Sequence, residues 1–227
     1  MGTVVLIGAS RGIGLELAAQ YVRAGERVIA TARDEAGLAR LAAVGVAQTL
    51  RVDVSDPASV SGLAWQLGSV AIDLALYVAG QMSRADATMP PTQPEFDRVM
   101  HANVLGAMQI IPQLAPGVEQ GRAGQGGTFA FISSAMGRMT ETGGSDAWLY
   151  RVSKAALNMA VVSAQHSYPT VSMVLVHPGW VRTDMGGDRA PLSVQDSATG
   201  IRQTLDALTP AAHARFVRYD GTEYQGW

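Results

Sequence analysis

The sequence contains no cysteine, so disulfide bonds and thiolate metal sites are excluded. Long hydrophobic runs are missing too, because no apolar stretch approaches the roughly 18 residues that a membrane-spanning helix needs. The 17 basic and 19 acidic residues give a net charge of -2, which leaves no basic excess for binding nucleic acid. We therefore expect a soluble, cytoplasmic protein that binds neither nucleic acid nor membrane.

Lysine is almost absent as well. Sixteen of the 17 basic residues are arginine, and Lys154 is the single lysine. Lysine offers a compact ammonium on a flexible stem where arginine offers a planar fork. The exception suggests a position where a guanidinium will not serve, the alternative being that one lysine was kept by chance.

Apolar, strand-like runs alternate with helical stretches along the whole chain. The predicted strands cover residues 3–8, 27–32, 48–52, 72–78, 128–133, 171–177 and 215–219. The predicted helices lie near residues 12–24, 34–43, 56–68, 95–114, 148–167 and 193–207. Continuous apolar strands alternating with helices are typical of a doubly wound parallel sheet. We predict one α/β domain of the Rossmann type over residues 1–227, with about seven strands and helices on both faces.

Two segments are predicted to be loops. Residues 115–127 are rich in glycine and proline and predict a surface loop. Residues 179–192 follow the sixth predicted strand, and sheets of this kind bind ligands at the carboxyl ends of their strands. This second segment is a candidate substrate lid, the alternative being an ordinary disordered connection.

A glycine motif follows the first predicted strand and opens the first helix. It reads Gly8-Ala9-Ser10-Arg11-Gly12-Ile13-Gly14. Such a turn lets the backbone approach a pyrophosphate, which the helix N-terminus then attracts. A plain tight turn between strand and helix is the alternative.

The spacing of these glycines resembles the short-chain dehydrogenase/reductase family, with Ile7 where the family usually has threonine. The resemblance implies a nicotinamide dinucleotide, contacted here by Gly8, Ser10, Arg11, Gly12, Ile13 and Gly14. Further along the chain it implies cofactor contacts at Asp53, Val54, Ala79, Gly80, Pro178, Gly179, Val181 and Thr183. Tyr77 and Val78 replace two asparagines of the family pattern, which leaves the hydrogen bonds of those asparagines in doubt.

The choice between NAD and NADP is predicted from the end of the second strand. An acid there binds the ribose 2′-OH of NAD, but by family spacing that position is Ala32 and Arg33 follows it. Guanidinium groups at Arg33 and Arg11 suit the 2′-phosphate of NADP(H). Asp34 would favour NAD if the register were shifted, although it is also well placed to cap the next helix. We expect NADP(H), with NAD(H) as the less favoured cofactor.

Tyr150 and Lys154 are the candidate catalytic pair. Their i, i+4 spacing places them on one helix face, and the apolar residues that follow argue against a solvent-exposed pair. The phenol serves as general acid–base if a nearby ammonium and the nicotinamide ring lower its pKa. The family resemblance implies this pair, which would also contact the cofactor.

Ser134 and Asn103 complete the candidate site. The resemblance implies a serine that holds the substrate oxygen after the fifth strand, where Ser134 is preferred and Ser133 is the alternative. Asn103 lies within an apolar helical stripe, where a buried amide needs partners. In the family the matching asparagine holds a water that relays protons to the lysine; a purely structural hydrogen bond is the alternative. Trp180 and Met82 are candidates for the substrate border, with core packing equally open. His177 is expected to pack in its strand and not to act as a base.

These features predict an NADPH-dependent oxidoreductase that transfers hydride between NADP(H) and a carbonyl or secondary alcohol substrate. The longer segment between Ser134 and Tyr150 resembles the C-factor-like, small carbonyl reductase branch. One rival is an NADP(H)-binding sensor or signalling protein with little turnover. A sugar-nucleotide epimerase is the other, although only 44 residues follow Thr183 for a substrate domain. The helices at 95–114 and 148–167 are expected to form a homodimer interface, with a monomer or tetramer left open.

Overall fold

A parallel sheet forms the centre of the computed structural model, which describes residues 1–140, 142–209, 211 and 213–227. Seven strands lie in the order β3-β2-β1-β4-β5-β6-β7, and every neighbouring pair is parallel. The strands of this described part are β1 Thr3–Ile7, β2 Arg27–Ala32, β3 Gln48–Arg51, β4 Leu74–Tyr77, β5 Thr128–Ile132, β6 Ser172–His177 and β7 Arg215–Arg218. The predicted doubly wound α/β fold is confirmed.

Helices cover both faces of the sheet. They are α1 Gly12–Arg23, α2 Glu35–Val44, α3 Pro57–Ser61, α4 Leu63–Leu67, α5 Gln93–Met100, α6 Gly106–Glu119, α7 Gly121–Gly124, α8 Trp148–Gln165 and α9 Val194–Ala207. One core cluster packs α6 and α8 against the sheet through residues such as Ile110 and Leu157. The other packs α1 and α9 against the opposite face through Leu17 and Ile201. Within the described part of the chain, the search for a helix that could span a bilayer finds no candidate.

The strand order reverses at β1, whose neighbours are β2 and β4. The segments that follow β1 and β4 turn to opposite faces of the sheet. This opens a crevice at the carboxyl ends of these two strands. The glycine motif follows β1, and Ala79 and Gly80 follow β4. The fold therefore brings these two predicted cofactor segments together.

The prediction of a surface loop over residues 115–127 is wrong. Helix α6 continues to Glu119 and passes through Pro112 and Pro116. Ala115 and Val118 are fully buried, and burial of that apolar face outweighs the helix-breaking cost of proline. The predicted helix near 56–68 is also divided, into α3 and α4 at Gly62.

A π-helical turn, His101–Leu105, joins α5 to α6. Such turns admit one extra residue and free backbone groups from the regular ladder. The buried hydroxyl of Tyr77 donates to the carbonyl of Ala102 in this turn, at 2.6 Å. Tyr77, which stands where the family pattern has an asparagine, thus holds the turn that carries Asn103.

Candidate active site

The glycine turn between β1 and α1 is tightly packed. Gly8 has φ +80°, and a Cβ added to it would lie 2.6 Å from the Cβ of Ala79. A Cβ on Gly14 would lie 2.8 Å from the Cα of Ala9. The Gly8 N–H donates to the hydroxyl of Thr31 in β2, at 2.9 Å. The glycines are required because two backbone segments pass each other here.

The N-terminus of α1 has no side-chain cap among the described residues. Asp34, Thr92 and Ser193 cap α2, α5 and α9 with their side chains. Arg11 holds the same position before α1, but among the described residues its side chain makes no cap bond and the first turn holds no acid. The free N–H groups and positive dipole end of α1 therefore face the crevice and suit a phosphate.

The crevice is a groove of about 450 Å³. Fifteen of the predicted cofactor residues line it: Gly8, Ser10, Arg11, Gly12, Ile13, Gly14, Arg33, Asp53, Val54, Ala79, Gly80, Tyr150, Lys154, Pro178 and Thr183. Gly179 and Val181 line the adjoining cavity instead. The uncapped turn and the narrow glycine cradle fit the pyrophosphate of a dinucleotide.

Four arginines line this groove, and they are Arg11, Arg33, Arg40 and Arg182. Arg11 pairs with Asp184 at 3.0 Å and Arg33 with Asp34 at 3.7 Å, all of them largely exposed. Asp34 also accepts from the Gly37 N–H at 2.7 Å, which confirms its predicted role as a helix cap. Sequence reasoning missed Arg40 and Arg182 as residues of this groove.

Asp53 has a local structural role in the groove wall. Its carboxylate accepts from the Ser55 N–H at 2.9 Å, and its own N–H donates to the Ser59 hydroxyl at 2.9 Å. These bonds form the turn that follows β3. Asp53 lines the groove while making them, so the turn leaves room for the predicted cofactor contact.

Tyr150 and Lys154 are buried on one face of α8, with 8% and 3% of their surface exposed. The Lys154 Nζ donates to the Ile132 carbonyl at the end of β5, at 2.8 Å. The same Nζ lies 5.7 Å from the centroid of the Tyr150 ring. The pair is therefore buried, as predicted, and the Lys154 Nζ is held at the carboxyl end of β5.

Burial shifts both pKa values toward the neutral forms. It lowers the pKa of Lys154 to about 7. It raises the pKa of Tyr150 to about 12, opposed by a hydrogen bond with Ser134. Desolvation disfavours whichever form is charged. The lowering of the Tyr150 pKa that the sequence predicts also depends on the nicotinamide ring, so it stays a prediction for the protein with its dinucleotide bound. The phenol keeps its proton at neutral pH and is equipped to donate it.

The two serines after β5 have different hydrogen-bond partners. The Ser133 hydroxyl donates to the Asn158 side chain at 2.6 Å, inside the protein. Ser134 lies at the cap of the short 3₁₀ turn Ala135–Gly137 and interacts with the Tyr150 hydroxyl. The geometry favours Ser134 over Ser133 as the partner of Tyr150.

Asn103 is fully buried and ties three segments together. Its Nδ2 donates to the Gln81 carbonyl and the Ser153 hydroxyl, each at 2.8 Å. Its Oδ1 accepts from the Gln81 N–H at 2.7 Å. The Ser153 hydroxyl in turn donates to the Tyr150 carbonyl at 2.8 Å. The amide thus joins the loop after β4 to α8.

A second cavity of about 540 Å³ adjoins the groove, a size that suits a small molecule. Ser134 and Tyr150 line it, together with Met82, Trp180 and Met185. Met82 and Trp180, the candidates for the substrate border, therefore line a cavity. His177 also lines it; burial lowers the His177 pKa to about 4, so the imidazole is neutral near pH 7.

The predicted lid over residues 179–192 folds back on itself. The Arg182 N–H donates to the Leu192 carbonyl at 2.9 Å, and the Leu192 N–H to the Trp180 carbonyl at 3.2 Å. The Trp180 indole donates to the Gly186 carbonyl at 2.8 Å. These bonds argue against a disordered connection and hold Trp180 at the cavity wall.

Comparison with known proteins identifies the family. The family model of the short chain dehydrogenases matches residues 2–191. This chain belongs to the short-chain dehydrogenase/reductase family. It is an oxidoreductase, as the resemblance of its glycine motif predicted.

Individual proteins that are similar to this dehydrogenase/reductase support the same family assignment. It is 32% identical over 233 residues to 1-hydroxy-2-glutathionyl-2-methyl-3-butene dehydrogenase of Rhodococcus sp., covering 99% of this chain and 100% of that one. It is 40% identical over 128 residues to C-signal of Myxococcus xanthus, covering 56% and 75%. A carbonyl reductase from Pseudomonas aeruginosa PAO1 in complex with NADP matches with a TM-score of 0.84 and 31% identity, covering both chains entirely. The predicted placement near the C-factor-like, small carbonyl reductase branch is confirmed.

Sequence reasoning also missed a clasp around Arg138 in this dehydrogenase/reductase. The buried guanidinium donates to the Gln225 carbonyl at 3.0 Å and the Gly226 carbonyl at 3.3 Å, and lies 4.4 Å from the centroid of the Tyr224 ring. The Met139 and Thr140 N–H groups donate to the carbonyl of Trp227. Residues 138–140 lie between Ser134 and Tyr150, so the clasp anchors the longer segment of this branch. No sequence motif marks it, because its acceptors are backbone carbonyls.

Proposed function

We propose that this protein uses NADP(H) to interconvert carbonyl compounds and secondary alcohols, with Tyr150 as the proton donor and acceptor. The observation that carries the proposal is the position of Tyr150. Its side chain lines both the dinucleotide groove and the adjoining cavity. The reacting group can therefore meet substrate on one side and nicotinamide on the other.

When bound, NADPH supplies the hydride for a carbonyl carbon, and NADP accepts one from an alcohol. Ser134 and Tyr150 present hydroxyl groups in the cavity, where both can donate to a carbonyl oxygen and stabilise its developing negative charge. Tyr150 holds its proton at neutral pH because its pKa is raised to about 12. It donates that proton as the oxygen becomes basic.

Lys154 and Asn103 support the proton transfer. The buried Lys154 ammonium stabilises the phenolate that remains after Tyr150 has donated its proton. Both Nδ2 hydrogens of Asn103 are used, but among the described residues its Oδ1 accepts only one bond and keeps a free lone pair. A Cβ built on Gly80 would lie 3.3 Å from that Oδ1 and 3.7 Å from the Lys154 Nζ. Asn103 is thus placed to hold a water that returns protons to Lys154.

We propose NADP(H) over NAD(H) because positively charged side chains line the groove. Arg11, Arg33 and Arg40 line the groove beside the glycine turn, and Asp34 is engaged as a helix cap. The similar carbonyl reductase from Pseudomonas aeruginosa PAO1 was solved with NADP. Guanidinium groups bind phosphate through charge-assisted, bidentate hydrogen bonds.

Cofactor-dependent turnover tests this function. Oxidation of NADPH and of NADH is followed by the absorbance of the reduced nicotinamide, in the presence of aldehydes, ketones or quinones. We expect turnover with NADPH and a kcat/KM at least about tenfold lower with NADH, the cost of one lost charge-assisted contact. A preference for NADH would refute the cofactor assignment. Tight NADPH binding without turnover across the panel would instead favour the sensor.

We also propose a homodimer formed through α6 and α8. Met108 on α6 and Val152 and Met159 on α8 are 53%, 51% and 65% exposed, and exposed apolar side chains on neighbouring helices suit an isologous interface. Light scattering should give twice the chain mass of 23.8 kDa. Met159→Glu should halve that value, while Trp65→Glu, at an 87% exposed residue on α4, should not. A wild-type mass of one chain or of four would refute the dimer.

A further inference from the structure

We propose that Arg40 binds the 2′-phosphate of the dinucleotide and contributes most to the preference for NADP(H). The inference rests on the function proposed above and assigns one of its determinants to α2. Arg40 lines the groove together with Ser10, Arg33 and Asp34. Its Nε donates to the Ser10 carbonyl at 2.8 Å, so the guanidinium is held against the glycine turn.

The contact depends on the close approach of α2 to that turn. A Cβ added to Gly37 would lie 2.8 Å from the Cβ of Ser10 and 2.7 Å from the Cβ of Ala32. Any larger residue would push the helix away from the turn. Gly37 and Arg40 are three positions apart and share a helix face. The missing side chain at Gly37 thus allows Arg40 to reach Ser10.

The charges and hydrogen bonds around the groove single out Arg40 among the four arginines that line it. Arg182 donates through its Nη1 to the carbonyls of Ala190 and Pro191, at 3.0 and 2.9 Å. Arg11 is paired with Asp184 and Arg33 with Asp34. Within residues 1–140, 142–209, 211 and 213–227, Arg40 has no carboxylate partner, and only its Nε is hydrogen-bonded. Nearby Glu35 is paired with Arg51 at 3.3 Å.

Among the described residues, the Arg40 guanidinium has its Nε held by Ser10 and its two terminal nitrogens free. It therefore forms a preorganised anion site. Binding through Arg11 or Arg33 requires an existing ion pair to be broken or shared. Binding through Arg40 requires neither, and the bond to Ser10 has already restricted the flexible side chain. Preorganisation of this kind increases affinity by reducing the ordering cost. The planar fork matches two phosphate oxygens at once.

The test compares two fragments that differ by one phosphate. Calorimetry measures binding of adenosine 2′,5′-bisphosphate and of adenosine 5′-monophosphate to the full chain. We expect wild type to prefer the bisphosphate. Arg40→Gln should reduce that preference about 10- to 100-fold by weakening bisphosphate binding alone, and Arg40→Lys should give an intermediate value. Arg51→Gln makes the same charge change outside the groove and should leave the preference unchanged.

The other outcomes separate the two hypotheses. A wild-type protein that binds both fragments equally would overturn the proposed NADP(H) preference and Arg40 with it. A wild-type preference that survives in Arg40→Gln would overturn Arg40 alone. Equal weakening of both fragments in Arg40→Gln would also refute the inference, because Arg40 would then only support the glycine turn.

Discussion

Replacing Tyr150 by phenylalanine is expected to lower kcat by about 10²- to 10⁴-fold, the usual contribution of a general acid–base group. The substitution removes one hydroxyl, the group that interacts with Ser134. The ring still fills the same buried position, so the affinity for NADPH should change little. Stopped-flow NADPH oxidation with the best carbonyl of the panel measures the first quantity, and fluorescence titration the second.

Tyr21 provides the matched control for this experiment. It is also a buried tyrosine on a helix, and burial raises its pKa as well. Among the described residues its hydroxyl has no hydrogen-bond partner, and it lies on α1 outside the cavity. Tyr21→Phe should keep kcat within about twofold, since ordinary substitutions away from a site have small effects. Turnover persisting near wild-type level in Tyr150→Phe would refute the proposed chemistry.

Replacing Lys154 by methionine is expected to make the protein more stable and much less active. Loss of the ammonium should lower kcat by about 10²-fold or more. Methionine fills a similar volume without a buried charge, so at pH 6 the free energy of unfolding should increase by about 1–3 kcal/mol. Urea denaturation measures the stability, and the same carbonyl assay measures the activity.

The stability gain should depend on pH. Burial lowers the folded-state pKa of Lys154 from 10.5 to about 7, so the unfolded chain binds more protons between these values. Wild-type stability therefore rises with pH through this window. The cost of the buried charge is complete below pH 7 and disappears toward pH 10.5. The advantage of Lys154→Met should accordingly shrink between pH 6 and pH 9.

Arg51→Met serves as the control for the pH effect. Its side chain is 66% exposed, so its charge is not desolvated and its replacement should bring no gain that changes between pH 6 and pH 9. If Lys154→Met gains the same stability at both pH values, the lowered pKa is refuted.

Much of the fold could be predicted because it depends on local patterns. The predicted strand 27–32 has the bounds of β2, Arg27–Ala32, and the other strands differ by one or two residues at one or both ends. Fully buried strands leave continuous apolar runs in the sequence. The turn at Gly8 could be predicted for a related reason, since close backbone passage requires glycine at fixed spacing.

The features that were missed depend on tertiary contacts. Pro116 and the glycines that follow it suggested a loop, yet the apolar face that α6 buries keeps it helical to Glu119. Arg40 bonds to a backbone carbonyl 30 positions away, and Arg138 to carbonyls 87 and 88 positions away. A carbonyl acceptor is present at every residue, so such partners leave no trace in the sequence. The raised pKa of Tyr150 likewise follows from burial depth, which spacing does not encode.

The single buried lysine also makes the protein its own spectroscopic reporter. Expression with lysine enriched in carbon-13 at Cε would place one labelled side chain in each chain, beside the Nζ that donates to the Ile132 carbonyl. An ammonium and an amine shift that carbon differently, so one NMR resonance would follow the protonation of Lys154 as pH is varied. No substitution is needed, and no second lysine can obscure the signal. The charge at the centre of the site can thus be read directly, in the native protein and during titration with dinucleotide.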